Sequence, residues 1–362
     1  MPIFFFIVIL VLLIVGHEFG HFVFAKLARM RVLEFGVGFP PKVWGRKIGE
    51  TLYSVNALPF GGFVRIFGED PEEDFKDPRA FSKRPPVSQA AVIVAGPLMN
   101  VLLAYFFALA ALLYGVPQVI DSGAGMHTSD ERVIIGNVLE QSPAQIAGIM
   151  RGDVVISVTD SRGAIPIKTP QELAARLSEA TSAVSLSILR DGKEISVSVT
   201  PVQGIAADDP ERKAIGIGTA LIGTVSYPLL EALEKAFFDT AERGIDVLLG
   251  LSVLVSGALT FSSDLSNIAG PVGIAGLASE AAVLGIGSFL SLIAVISMNL
   301  AIINLLPFPA LDGGRLAVLA IEAIVRRKIP HSYANAANYV GFVLLILLML
   351  VVTVHDISRL VT

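Results

Sequence analysis

The sequence predicts an α-helical polytopic membrane protein with four transmembrane helices, a membrane-associated β-hairpin or sheet, and an inserted α/β domain. Three observations predict it. Of 362 residues, 53% are hydrophobic and only 16% charged, with a mean hydropathy of +0.70, which no ordinary soluble chain shows. Three stretches free of Asp, Glu, Lys and Arg, and an N-terminal one interrupted by a single cluster, are long enough to cross a bilayer core about 30 Å thick. Between the second and third stretches the chain changes to the alternating pattern of a small soluble domain.

Residues Ile3 to Val15 are apolar without exception, and the apolar character resumes through Phe22-Val23-Phe24 to Ala25. About 20 residues suffice for a span, so 3–25 is one. A cleavable signal peptide would begin with basic residues and end at a small-residue site. Here the first basic residue after the apolar run, histidines aside, is Lys26, so the segment is expected to stay attached. The second charge-free stretch lies between Arg84 and Asp121, the third runs from Ala281 to Leu311 and the fourth from Ser332 to Val354. Val247 to Ser263 is also uncharged but has only 17 residues, and it follows the amphipathic spacing Leu229, Leu230, Leu233, Phe237. It reads as an interfacial or re-entrant helix.

Two regions read as sheet. Glu34 to Phe39, Thr51 to Val55 and Phe60 to Ile66 alternate with period two and are too apolar for a free loop, so they are expected to dip against the spans, with an ordinary packed hairpin as the plain alternative. Beyond the second span, Val133 to Leu139 and Asp153 to Val158 are short apolar runs. Val184, Leu186, Ile188 and Ile195, Val197, Val199 flank Asp191-Gly192 as a hairpin would. Thr169-Pro170-Gln171-Glu172 combines a capping box with Pro at the first helical position, predicting a helix from about Pro170 to Ala180.

The expected organisation is a first membrane half over 1–120, with a span at 3–25, a β region at 33–67 and a span at 88–114. An extracytoplasmic domain over 121–204 follows, then amphipathic or interfacial helices and loop over 205–280. The second membrane half covers 281–362, with spans at 281–306 and 336–356. Lys26, Arg29, Arg31, Lys42, Arg46, Lys47, Arg65, Lys83 and Arg84 follow the first span, and Arg315, Arg326, Arg327 and Lys328 follow the third. Both connections therefore belong in the cytoplasm, and the termini with the 121–280 segment on the other side.

A net charge of −5 and a pI near 5.6 give no basic surface for nucleic acid. With no cysteine and five histidines, any metal must sit on His, Asp or Glu. The chemistry concentrates inside the first span, at His17-Glu18-Phe19-Gly20-His21. An ionisable residue at mid-span costs about 2.5–3.5 kcal/mol on insertion scales, so three within five residues need a compensating partner. Histidines at i and i+4 share a helical face and can grip one zinc ion while the intervening Glu18 acts as general base.

A catalytic zinc usually takes three protein ligands. Phe24 and Leu27 occupy the positions of the extended motif, and Glu34 and Glu50 are in the strand-like region. The remaining signal is Asn304 through Gly314, where Pro307 and Pro309 break the helix at the end of the third span and Asp312 is the carboxylate within reach. Asp312 is the expected third ligand; the plain alternative is a turn carboxylate paired with Arg315. His17 lies about 21 Å along the helix from Ile3, toward the cytoplasmic third of the core, where a short polar path would bring water.

Two resemblances follow. The element order after the second span, with Gly136-Asn137-Val138 and Ser142 through Asp153, resembles a PDZ domain, which implies peptide binding by strand addition. A domain that merely spaces or plugs the membrane part is the bland alternative. His17 to His21, Gly96-Pro97-Leu98-Met99-Asn100 and Asn304 to Gly314 together resemble the site-two proteases, intramembrane zinc metalloproteases. Pro271-Val272-Gly273-Ile274 and a PDZ-like insertion resemble the bacterial regulator-of-sigma-E protease branch, although that branch often carries two PDZ domains and this length accommodates one.

The resemblance implies zinc on His17, His21 and Asp312, with Glu18 activating water and then protonating the leaving amine. By similarity Asn304 would hold an unwound substrate and Asn100 would line the same cavity, so Asn304, Asn100, Pro307 and Pro309 are the candidate substrate-binding residues. The bland role of Asn100 is a hydrogen bond between helices. The expected protein cuts transmembrane segments of single-pass membrane proteins, such as anti-sigma factors or signal-peptide remnants, in a bacterial inner membrane. Its partners would be those substrates, the lipid bilayer and a peptide on the PDZ-like domain, and not nucleic acid. A non-catalytic scaffold with a structural metal would need a fourth ligand, for which His127, His331 and His355 are poorly placed. A transporter would show inverted repeats, and the halves show none.

Overall fold

The computed structural model describes residues 2–69, 77–120, 128–190, 192–205, 209–259 and 269–361. Asp121, His127 and Asp191 lie outside them, as do the last residues of 247–263. In chain order the membrane half opens with α1 (Pro2–Leu27), β1 (Val32–Ile48), β2 (Thr51–Ile66) and α2 (Pro86–Tyr114). Next come β3 (Val116–Val119), β4 (Thr128–Val138), α3 (Pro143–Ile146), β5 (Val154–Asp160), β6 (Gly163–Pro166), α4 (Pro170–Ser178), β7 (Val184–Arg190), β8 (Lys193–Val199) and β9 (Ile217–Val225). The chain closes with α5 (Leu229–Leu259), α6 (Pro271–Leu284), α7 (Ile286–Leu305), α8 (Asp312–Val325) and α9 (His331–Val361).

Two compact units result, one from residues Met1–Ala111 with Leu229–Thr362 and the other from Leu112–Pro228. In the first, four helical segments are long and apolar enough to cross a membrane: Ile7–Leu27, Pro86–Tyr114, Ile286–Leu305 and Ser332–Ser358. A helix closes its own backbone hydrogen bonds, which hydrocarbon demands. The protein is polytopic in the membrane. The third span starts later than the expected 281, because Gly285 at φ 114° breaks the chain between α6 and α7 and leaves residues 281–284 on α6. The expected interfacial segment from 247 is the second half of α5, which runs unbroken for 31 residues.

Beside these helices β1 and β2 form a strongly bent hairpin. Glu34 to Val37 of β1 pair on one side with Leu52 to Val55 and on the other with Gly62 to Arg65. Residues 42–48 turn back along 51–56, so the spatial order is 42–48, 51–56, 32–37, 62–66. The stretch 62–66 is thus an edge, with no further strand pairing to it among the described residues.

The second unit is a sheet in the order β3-β9-β4-β5-β7-β8, with β6 on β5, closed over a core that includes Ile135, Leu173, Leu186, Ile188 and Ile215. The capping box is formed: Thr169 accepts from the Glu172 N–H while Glu172 accepts from the Thr169 N–H. The 184–199 hairpin pairs Ile188 with Ile195. This unit is wider than 121–204. Residues 217–225, expected among helices and loop, are β9, a strand paired to both β3 and β4.

Candidate metal centre and active site

His17 and His21 stand one turn apart on α1, with ring centroids 4.8 Å apart, and project from a single face. That face can meet α2 because two glycines leave room. A Cβ on Gly20 would fall 2.2 Å from the carbonyl oxygen of Ala95, and one on Gly96 would fall 2.2 Å from His21 Nε2. Gly96 is therefore the floor on which the imidazoles lie.

The third group arrives from the far end of the chain. After α7 the segment Asn304 to Leu311 makes a compact turn, with the carbonyls of Leu305, Leu306 and Phe308 pressed where any Cβ of Gly313 or Gly314 would be. Ala310 takes φ 74°, a strained value for a residue with a side chain, and its N–H is held by Asn338 Oδ1 of α9 at 3.2 Å. This turn starts α8 at Asp312. Asp312 Oδ2 reaches 3.0 Å from His17 Nε2 and 3.2 Å from His21 Nε2, and the two Nε2 atoms are 3.2 Å apart.

These distances test the donor set. Around tetrahedral zinc with bonds of about 2.0–2.1 Å, neighbouring ligand atoms sit about 3.3 Å apart. The three atoms have the spacing of one face of that tetrahedron. Protonation also fits at His21: its Nδ1 donates to the Val92 carbonyl at 2.8 Å, leaving the Nε2 lone pair toward the cluster. Among the described residues no fourth His, Cys, Asp or Glu joins the three. A structural site would fill four positions, whereas three protein ligands and an open position suit catalysis.

Comparison with known proteins agrees with this geometry. The family model described as peptidase family M50 matches residues 5–348. The chain belongs to peptidase family M50. A Clostridium perfringens protein bearing a provisional zinc-metalloprotease name is 35% identical over 346 residues, 95% of each chain. Zinc metalloprotease RasP of Geobacillus kaustophilus is 30% identical over 98% of this chain and 97% of its own length. Regulator of sigma-W protease RasP of Bacillus subtilis is 29% identical over 98% of both. This M50 peptidase is an intramembrane zinc metalloprotease.

Two cavities reach the cluster in the M50 chain, and Glu18 lines both. One is a small polar pocket of about 100 Å³ between the cluster, β2 and Arg315. The other, of about 250 Å³, is walled by Ile14, Leu300, Asn304, Ala310 and Leu311, with Asn100 at its side. Asn304 lies on the same cavity as the cluster. Pro307 and Pro309 do not line either cavity. They shape the turn, and Pro309 packs against Gly341 of α9.

Three other features were not legible from the motif. Asp312 does not answer Arg315; that guanidinium pairs with Glu69, just past β2, which also accepts from the Ile66 N–H at 3.3 Å. The free edge 62–66 runs beside the face of α1 that carries Glu18, since a Cβ on Gly62 would lie 3.3 Å from Glu18 Cγ. Asn100 is 1% exposed and lies 3.3 Å from His17 Nδ1. A helical spacing in the sequence, Gly96 to Asn100 at i, i+4, was the available signal for that last contact.

Proposed function

We propose that His17, His21 and Asp312 hold the zinc and that Glu18 is the general base of an endopeptidase acting on transmembrane segments of single-pass membrane proteins. The observation that carries this reading is the convergence, within 3.2 Å, of donor atoms from α1 and α8. Zinc held there supplies a Lewis acid for the attacking water and the scissile carbonyl. The Glu18 carboxylate takes a proton from that water and delivers it to the departing amine nitrogen, which leaves as a neutral amine.

A peptide bond within a helix is shielded by its own turn, so cleavage needs local unwinding and new partners for the released N–H and C=O groups. The free edge 62–66, next to Glu18, offers those partners by strand addition. Asn304, on the cavity wall, supplies an amide for the unwound backbone. Anti-sigma factors and signal-peptide remnants are the candidate substrates; the Bacillus subtilis relative is named as a regulator of sigma-W. In this reading the β region and α8 face the cytoplasm, and the α/β unit is a PDZ-like peptide-binding domain on the other side.

The test is Glu18→Gln in full-length protein in detergent, with a model transmembrane substrate. Zinc content should stay at one per chain while cleavage disappears. Undiminished cleavage would remove Glu18 from the reaction, and lost zinc would make it a structural residue.

A further inference from the structure

The two histidines differ in what holds their second ring nitrogen. His21 Nδ1 is anchored on a backbone carbonyl, whose role as acceptor is fixed. His17 Nδ1 meets a side-chain amide, which presents either an acceptor or a donor depending on how it is turned. As oriented, Asn100 places Nδ2 at 3.3 Å from His17 Nδ1, while its Oδ1 is buried with no partner.

That orientation conflicts with metal binding. A neutral imidazole that gives its Nε2 lone pair to a metal carries its proton on Nδ1, and that N–H needs an acceptor. Facing it with an amide N–H₂ would set two donors against each other. Turning the amide end for end exchanges two groups of nearly the same shape and brings the orphaned Oδ1 onto the His17 N–H.

We infer that Asn100 is a positioning residue that accepts the Nδ1–H of His17 through Oδ1 and so fixes the tautomer that leaves Nε2 free for the metal. It acts through His17, and it need not touch substrate. Ser297 of α7, itself fully buried, donates to the Asn100 carbonyl at 2.7 Å and pins this point of α2. Gly96 and Asn100, one turn apart, then have complementary tasks: the first admits the rings and the second orients one of them.

The role rests on the metal-ligand reading of His17, and the experiment separates the two. Zinc affinity is measured by chelator competition on full-length protein in detergent, for wild type, H17A, N100L and N100D. Thermal unfolding of the metal-free forms runs in parallel. N100L should weaken zinc about 10- to 100-fold, the usual effect of losing such an outer partner. N100D, which keeps an acceptor and cannot donate, should hold zinc within about threefold of wild type or more tightly. Wild-type affinity in N100L, or N100D as weak as N100L, overturns the assignment. If N100L does not fold, N100D decides alone, and a tenfold loss there overturns it. Should H17A keep wild-type affinity, it is the ligand reading of His17 that fails.

Discussion

Gly96→Ala is a one-methyl change that the structure makes severe. The added Cβ would sit 2.2 Å from His21 Nε2, 2.5 Å from His21 Cε1 and 2.8 Å from His17 Nε2, where ordinary contact begins at 3.4 Å. Relief requires a shift of about 1.2 Å, the difference of those distances at Nε2. The His21 ring cannot swing away cheaply, because its Nδ1 is bound to Val92 on the same helix that carries the new methyl. Ligand distances at a zinc site tolerate about ±0.2 Å. Zinc affinity should therefore fall at least about 10- to 100-fold, the scale of an outer-partner loss, and a misplacement near 1 Å should lower turnover about 100-fold. Chelator competition measures the first and cleavage of a transmembrane substrate the second. Gly276→Ala is the control, since a Cβ there meets nothing within 4 Å. Zinc affinity in G96A equal to that of the control would refute the packing of the imidazoles on α2.

Other outcomes follow from the same geometry. Successive N–H groups of a strand point to opposite edges, so of prolines at Phe63 and Val64 one removes a donor from the free edge and the other from the β1 ladder. The free-edge proline should abolish cleavage with zinc content unchanged; normal turnover from both would sink strand addition. Asp356 of α9 accepts from the N–H groups of Gly270 at 3.1 Å and Gly273 at 2.8 Å at the start of α6. Asp356→Leu should cost about 1–3 kcal/mol, read as a lower midpoint of thermal unfolding in detergent. In the α/β unit burial raises the Asp153 carboxyl, but hydrogen bonds from Arg190 and from the Met150 N–H outweigh it and hold it below the ordinary range. A lowered folded value gives stability that is present above the unfolded value near 3.9 and lost as pH falls through the folded one. Hydrogen-exchange protection of β4, β5 and β7, taken relative to the intrinsic amide rate at each pH, should fall below about pH 4 in the wild-type full chain, and that fall should be smaller in Asp153→Asn.

Much of this molecule was legible from residue patterns because the signals are local. The four spans follow from uncharged length, α4 from its capping box, and the His17/His21 pair from helical spacing. Asp312 could be proposed because no other carboxylate fits the broken end of α7, but its partner was a question of tertiary packing. Arg315 is three residues away in sequence and still turns to Glu69. The β9 strand was hidden because Gly216, Gly218 and Gly223 interrupt the apolar alternation. Which stretch of the 34–66 region is the free edge cannot be read from period-two runs, since it depends on β1 being paired on both of its sides. Asn100 lies on the cavity and makes a hydrogen bond between helices, both of which its face on α2 suggested, but the sequence does not give the ring nitrogen opposite it.

The donor atoms of the cluster are 295 positions apart, with the whole α/β unit synthesised between them. At roughly 5–20 residues per second, a ribosome needs roughly 15–60 s after making His17 before Asp312 exists. Nascent or prematurely terminated chains carry the paired imidazoles and Glu18 without the carboxylate that completes the set. On the proposed ligand set, the metal site cannot be complete before α8 has been made.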